Sequence, residues 1–204
     1  MALSPAQKLH PAIPSTPWTL DEVAGRFVEI SGAAASAALT LTFTLIREAQ
    51  ARGEPVGWIT LAEHSFYPPD VAQGGTELAA LVVVRLARAD SIARADSIAR
   101  AGEKLLRSGG FGVVVLDLGA ADMPMPLQTR LTGLAHHHHT ALICLTEKTH
   151  GAFSLGSLVS LRAHAEKKHV EGNRFACALR VLKDKRRGPT WNYEELYTGP
   201  AGLC

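Results

Sequence analysis

The sequence is poor in cysteine and aromatic residues and has no long apolar run. It has three cysteines without the spacing of a metal site, which is typical of a protein in a reducing compartment. No stretch of about 20 residues is apolar without polar breaks, so we expect no membrane span. Residues 1–19 lack a basic region followed by an apolar run. We therefore expect a flexible N-terminal arm without a secretion signal, and a cytoplasmic protein.

A metal site is also not expected at the four consecutive histidines, His136 to His139. Neighbouring residues of a helix point about 100° apart, so only His136 and His139 share a face. No cysteine or carboxylate pair lies nearby in sequence with the spacing of zinc ligands. The histidines therefore predict a polar helix end and no bound metal.

Five continuous apolar runs alternate with helical patterns from residue 26 to residue 147. Such runs, rich in β-branched residues, are typical of parallel strands covered on both faces. The runs are Arg26–Ser31, Pro55–Glu63, Leu78–Leu86, Phe111–Leu118 and Thr140–Glu147, and the helical patterns cover Ala33–Arg52, Ser91–Arg107 and Pro126–His136. This alternation predicts an α/β sheet with right-handed crossovers.

The pattern changes after Gly151. The stretch "RFACALRVLKD" (Arg174–Asp184) alternates like an antiparallel strand, and "TWNYEELY" (Thr190–Tyr197) follows a Gly-Pro turn. We predict one domain over residues 20–204. It is an α/β fold with a mostly parallel twisted sheet, flanking helices and a C-terminal antiparallel hairpin.

Positive charge is concentrated in one segment, although the whole chain has a net charge of only +2. Residues 162–187 contain nine Lys or Arg against three Asp or Glu, so an anionic partner or a solvated face is expected there. The candidate residues for DNA contact or a protein interface are Lys167, Lys168, Lys183, Lys185, Arg186 and Arg187. Phosphate contacts of this kind are sensitive to salt and indifferent to sequence.

The stretch "VEISGAAASAALT" (Val28–Thr40) lies where a nucleotide-binding protein has its phosphate loop. That loop follows the pattern G-x-x-x-x-G-K-[ST], in which the lysine neutralises phosphates and the hydroxyl holds magnesium. Gly32 fits the first glycine, but Ala37, Ala38 and Leu39 stand at the second glycine, the lysine and the hydroxyl position. The sequence therefore predicts a degenerate nucleotide site.

The same stretch, continued to "LTFTLIREAQARGE", resembles without a gap the first strand, phosphate loop and helix of bacterial RecA. The resemblance extends over residues 27–202. "ITLAEHSFYPPD" is similar to the RecA strand that ends in its catalytic glutamate, "GGFGVVVLDLG" to the Walker B strand, and "TALICLTEK" to the strand with the γ-phosphate sensor glutamine. "RVLKDKRRGP" resembles the late hairpin whose lysines reach a neighbouring subunit's nucleotide.

Carried over residue by residue, the RecA resemblance implies a mixed outcome. Glu63 occupies the position of the catalytic glutamate and Asp117 that of the Walker B aspartate, while Lys183 and Lys185 match the interface lysines. Glu147, however, replaces the sensor glutamine and would repel a γ-phosphate. Both DNA-binding loops of RecA look lost or shortened, the second of them around residues 148–160.

A small RecA-like chain with these losses resembles the ImuA family. The resemblance implies a non-catalytic accessory protein, without a cofactor, of damage-induced translesion synthesis and mutagenesis in the SOS response. Its implied partners are an ImuB-type Y-family polymerase homologue, RecA, DNA bound weakly without sequence preference, and a second copy of the chain. Two alternatives remain open: a DNA-dependent RecA-type ATPase, and an inhibitor of cell division similar to SulA.

Overall fold

The computed structural model describes residues 17–33, 36–61, 66–87, 91–189 and 191–199. The helices are α1 (Leu20–Val23), α2 (Ala38–Ala51), α3 (Pro68–Gln73), α4 (Ser91–Ser108) and α5 (Met125–His137). The strands are β1 (Phe27–Ser31), β2 (Val56–Leu61), β3 (Leu81–Leu86), β4 (Val113–Gly119), β5 (Ala141–Thr146), β6 (Leu161–Glu171), β7 (Arg174–Asp184) and β8 (Asn192–Thr198). In the described part of the chain, no helix is long and apolar enough to cross a membrane.

The eight strands form one sheet in the order β3-β2-β4-β5-β1-β6-β7-β8. The strands from β3 to β6 in this order are parallel, and β7 and β8 are antiparallel to their neighbours. The helices α1, α2 and α3 pack on one face, and α4 and α5 pack on the other. The predicted fold class is therefore confirmed.

The central strands are apolar because helices cover both of their faces. Every residue of β1, β2 and β5 is buried. On the α2 face, the ring of Phe43 stacks on Trp58 with 5.2 Å between the ring centroids, and Phe66 meets both rings edge-on. Trp18 is also buried there and donates a hydrogen bond to the carbonyl of Leu41, so the chain joins the core just before α1.

Element boundaries differ from the sequence prediction at three places. The helix predicted from Ala33 begins only at Ala38, and Ala33, Ser36 and Ala37 lie outside it. The strand predicted from Leu78 begins at Leu81, after a turn of 3-10 helix. The sequence pattern did not predict β6, so the hairpin is in fact part of a three-stranded antiparallel extension. The outer half of β6 is exposed on both faces, which removed its alternating pattern.

A buried ion pair joins this extension to the parallel core. The Arg26 guanidinium donates to Asp184 Oδ1 over 2.6 Å, and both side chains are almost fully buried. Arg26 also donates to Ser160, and Asp184 accepts hydrogen bonds from Trp191 Nε1 and from the backbone N–H of Arg186. The start of β1, the start of β6 and the end of β7 are thereby held together.

The network also determines the protonation of Asp184. Burial by itself raises the pKa of a carboxyl group. The hydrogen bonds from the Arg186 backbone, Arg26 and Trp191 outweigh this effect and hold the pKa of Asp184 below its usual value. Asp184 is therefore charged at neutral pH and stabilises the fold in that form.

We predict that Asp184→Ala lowers the free energy of unfolding by about 3–5 kcal/mol, because it leaves the buried Arg26 charge without its partner. Urea unfolding followed by tryptophan fluorescence measures this loss. Asp21→Ala is the matched control, since it breaks the exposed pair between Asp21 and Arg52 and should leave the midpoint unchanged. Equal effects of the two variants would contradict a structural role of the buried pair.

The cost of Asp184→Ala should also depend on pH. A lowered pKa in the folded state means that the carboxylate stabilises the fold fully above its unfolded value of about 3.9. That contribution is lost as the pH falls through the folded-state pKa. Unfolding curves at decreasing pH should therefore show the free energies of unfolding of wild type and Asp184→Ala approaching each other below about pH 4.

Candidate functional site

The degenerate phosphate loop lies at the carboxyl end of β1. The backbone N–H of Gly32 donates to the carbonyl of Thr146 at the end of β5, and Ser36 N–H donates to the carbonyl of Ala33. The Ser36 hydroxyl lies directly over Gly32, since a Cβ added at Gly32 would be only 2.3 Å from Ser36 Oγ. The hydroxyl also accepts a hydrogen bond from the N–H of Ala38. Ser36 is therefore held closely against the first glycine of the pattern.

Three apolar side chains occupy the positions of the second glycine, the lysine and the hydroxyl residue of the phosphate-loop pattern. Ala37 is fully buried, Ala38 begins α2 and is half-buried, and Leu39 is 40 % exposed. None of these three side chains carries a charge or a hydroxyl. These three positions can therefore offer an anion only their backbone N–H groups and the helix dipole.

The other members of the predicted nucleotide site lie at the same edge of the sheet. β4, β5 and β1 are neighbours, and their carboxyl ends bring Asp117, Glu147 and Gly32 to one edge. Asp117 Oδ2 accepts a hydrogen bond of 2.9 Å from the hydroxyl of Thr60. Glu147 is exposed, and its N–H donates to the carbonyl of Gly119. Glu63 lies outside the described residues.

A buried glutamate that the sequence analysis missed organises the loop of residues 147–160. Glu29, in the middle of β1, is fully buried. Its Oε2 accepts hydrogen bonds from Ser154 Oγ at 2.6 Å and from the N–H of Leu155 at 3.0 Å, and Arg162 Nε lies 3.7 Å away. The only sequence signal for this site was a charged residue inside the apolar run "RFVEIS", because Ser154 and Leu155 are more than 120 residues away in sequence.

Two further side chains hold the same loop. Gln128 of α5 donates to the carbonyls of Met123 and Leu155. Lys183 of β7 donates to the carbonyl of Ser157 over 3.2 Å, and burial together with the charge of Lys185 lowers the pKa of Lys183. Lys183, predicted to contact DNA or a partner, is thus engaged within its own chain.

The remaining predicted cations fall into two groups. Lys185, Arg186 and Arg187 are exposed in the turn after β7, where Arg187 forms an ion pair with Glu22. Lys167 and Lys168 lie toward the other end of the hairpin, where Lys168 pairs across from Ala176. Lys183 lies seven residue steps along β7 from Ala176, which is a distance of about 23 Å. The structure therefore does not bring the cations into one patch.

Lys167 and Lys168 also point to opposite faces of the sheet, as successive strand residues must. Lys167 Nζ lies 5.4 Å from the centre of the Phe175 ring, and Lys168 Nζ lies 4.0 Å from Glu166. The turn after β7 is thus the stronger candidate for a phosphate contact. Lys185, Arg186 and Arg187 together form the basic turn.

The sequence matches the RecA N-terminal domain over residues 21–143, which is more than half of the chain. The chain belongs to the RecA N-terminal domain family. It is 34 % identical over 118 residues to the protein RecA of Teredinibacter turnerae, a match that covers 58 % of this chain and 32 % of that relative. It is 35 % identical over 100 residues to the protein RecA of Rickettsia canadensis, covering 49 % of this chain and 27 % of the relative.

The family match covers the part of the sheet that contains the degenerate loop. It begins in α1 and ends within β5, so it includes Gly32, Ala38, Leu39, Glu63 and Asp117. The loop of residues 147–160, the antiparallel extension and the basic turn follow the matched range. The matched segment is about a third of the length of the RecA relatives. Membership therefore explains the core of this chain, while the activity of a whole RecA protein cannot be transferred to it.

We predict that Lys185→Ala combined with Arg186→Ala weakens DNA binding at low salt. Two lost phosphate contacts should reduce the slope of log K against log salt by about 2. Fluorescence anisotropy with a labelled oligonucleotide measures both effects. The control is Arg85→Ala combined with Lys104→Ala, which removes the same charge from exposed positions on β3 and α4. Equal weakening by the control would mean that net charge alone, and not the basic turn, determines binding.

Proposed function

We propose that this chain is a non-catalytic RecA-like accessory protein that does not hydrolyse ATP. The observation that carries the proposal is the loop after β1. Ala38 and Leu39 stand where a lysine and a hydroxyl are needed, and the Ser36 side chain lies against Gly32. Each missing charge-assisted phosphate contact costs about 2–5 kcal/mol, so affinity for a nucleoside triphosphate falls about 30-fold to several thousand-fold per contact.

The state of the retained acidic and basic residues supports the same proposal. Asp117 accepts a hydrogen bond from Thr60, which gives the carboxylate a structural partner at the tip of β4. Lys183 holds the carbonyl of Ser157 in its own chain. Glu147 places a negative charge at the edge where the γ-phosphate of a bound nucleotide would lie. Asp117 and Lys183 therefore have partners within the fold without a nucleotide.

The proposal predicts that wild-type protein binds no nucleotide, whereas a repaired loop gains binding. The repaired variant carries Ala37→Gly, Ala38→Lys and Leu39→Thr, which together restore the complete phosphate-loop pattern. We expect its affinity for ATP to exceed that of wild type by at least tenfold, because it regains the lysine contact. Isothermal titration calorimetry with ATP and magnesium compares the two proteins.

The repaired variant is the positive control for the experiment, since it shows that the assay detects binding by this fold. ATP turnover by wild type that rises with single-stranded DNA and disappears in Glu63→Gln would contradict the proposal. In that case the chain is a RecA-type ATPase with an unusual phosphate loop.

We further propose that the chain acts in damage-induced translesion synthesis, as a cytoplasmic adaptor for an ImuB-type polymerase homologue and for RecA. The support is the contrast within the chain: the core of the RecA domain is kept, while the residues of the nucleotide site are replaced. A fold retained without its nucleotide site is best explained as a binding surface. The basic turn is an exposed part of the antiparallel extension in which three positive charges are adjacent, so we assign the partner contact to it.

We predict that Lys185→Glu combined with Arg186→Glu weakens co-purification with the ImuB-type partner. Reversing two charges replaces attraction by repulsion across the interface. Arg85→Glu with Lys104→Glu is the matched control and should bind like wild type. Trp191 is unsuitable for this test, because it is buried and donates to Asp184. Binding of wild type to neither the polymerase homologue nor RecA would overturn the adaptor proposal.

A further inference from the structure

Glu29 and Arg162 lie side by side on adjacent strands without forming a hydrogen bond. They are opposite each other in the register of β1 and β6, and both residues are buried. Arg162 Nε lies 3.7 Å from Glu29 Oε2, which is beyond hydrogen-bond distance. The same oxygen accepts hydrogen bonds from Ser154 Oγ at 2.6 Å and from the N–H of Leu155 at 3.0 Å. The loop of residues 147–160 therefore occupies the carboxylate oxygen that lies nearest to the guanidinium.

The guanidinium of Arg162 has donors that this arrangement does not use. Its Nε and one terminal nitrogen are buried and have no hydrogen-bond partner among the described residues. A buried charged donor without a partner is more costly than a neutral one. A guanidinium and a carboxylate that meet in parallel form two charge-assisted hydrogen bonds, which is the strongest geometry for this pair. The present arrangement thus stabilises the loop and leaves Arg162 incompletely paired.

The other contacts of the loop near Leu155 are also incomplete. Gln128 Nε2 donates to the carbonyl of Leu155 over 2.8 Å, but Gln128 Oε1 is buried without a partner in the described part of the chain. Lys183 Nζ lies 3.5 Å from the carbonyl oxygen of Gly156 and 3.2 Å from that of Ser157. Both distances exceed the roughly 2.8 Å of a strong charge-assisted hydrogen bond. The closed loop is therefore held by few strong bonds and covers polar groups that lack partners.

We propose that Glu29 is a switch that sets the position of the loop of residues 147–160. In the closed arrangement, which is the one in this structure, Glu29 accepts hydrogen bonds from Ser154 and Leu155. In the open arrangement, Glu29 accepts two hydrogen bonds from Arg162, and the segment around Leu155 leaves the sheet. The closed arrangement predominates in the free protein, because it keeps the Leu155 side chain buried.

Opening of the loop changes the surface beside the basic turn. Lys183 then loses the carbonyls of Gly156 and Ser157, which hold its ammonium group in the closed arrangement. Lys183 lies two residues before Lys185, so its release adds a fourth cation next to the basic turn. The switch goes beyond the accessory role and does not depend on it, since both arrangements form within one chain.

The test is hydrogen exchange of the Leu155 amide in the full chain, measured by NMR at constant pH, because this N–H donates directly to Glu29. Ser154→Ala removes one of the two loop contacts of Glu29 and should speed this exchange about tenfold. Arg162→Met removes the competing partner with an unbranched apolar side chain, so it should slow the exchange about threefold or more. Arg162→Lys keeps the buried charge but lacks the planar fork, and it should also slow the exchange.

The opposite signs of these effects distinguish a switch from ordinary support of the loop. If Arg162 only supports the closed loop, its loss speeds the exchange of the Leu155 amide. Faster or unchanged exchange in Arg162→Lys would therefore overturn the proposal, and this variant decides the test if Arg162→Met does not fold. Ser157→Ala, which changes an exposed serine of the same loop, is the matched control and should exchange like wild type.

Two further signals separate loop opening from a general loss of stability. The Val114 amide of the central strand β4 exchanges only through larger unfolding events, so the ratio of the Leu155 rate to the Val114 rate reports the loop alone. In Ser154→Ala, the Arg162 Nε–H should exchange more slowly than in wild type, because it then donates to Glu29. Faster exchange of both the Leu155 amide and the Arg162 Nε–H would show that no new pair forms, and would overturn the switch.

Discussion

A charge can be buried in a central strand only if a partner is buried with it, and this constraint ties the two halves of the fold together. β1 and the residue before it contain two such charges. Arg26 is paired with Asp184 at the end of β7, and Glu29 faces Arg162 at the start of β6. Both partners belong to the antiparallel extension, so the extension has one register against the parallel core. Removal of either partner leaves a charge in a site that water does not reach.

The same constraint shapes the loop between β5 and β6. Arg162 Nε lies 3.7 Å from Glu29 Oε2, beyond hydrogen-bond distance, and the hydroxyl of Ser154 and the N–H of Leu155 donate to that oxygen. The loop is thereby drawn down onto the sheet, where Gln128 and Lys183 hold its carbonyls. Lys183, which the sequence predicted to contact DNA or a partner, thus binds a loop of its own chain. Phe153 is left exposed because its neighbours are anchored.

The edge of the sheet that contains the degenerate loop keeps its strand order although three residues of the phosphate-loop pattern are replaced. β1, β5 and β4 still bring their carboxyl ends to one edge, since the strand order depends on buried apolar residues and not on the loop. The replacements at Ala37, Ala38 and Leu39 remove charge without disturbing that core. Ser36 then folds back over Gly32, and Thr60 provides Asp117 with a hydrogen bond. At this edge, Gly32 and Asp117 are thus contacted by side chains of the same chain.

The sequence by itself determined the fold class, most strands and the loss of the phosphate-binding residues. Each of these is local: an apolar run, a helical period or a residue type at one position of a motif. It did not reveal β6, because the charges of "KKHVE" lie where the strand is exposed on both faces. It also did not reveal that Glu29 bonds Ser154 and Arg26 bonds Asp184, because each of these partners is more than 120 residues away in the chain. Only the tertiary structure decided which cations are free and which are internal, because pairing depends on distances between strands that are remote in sequence.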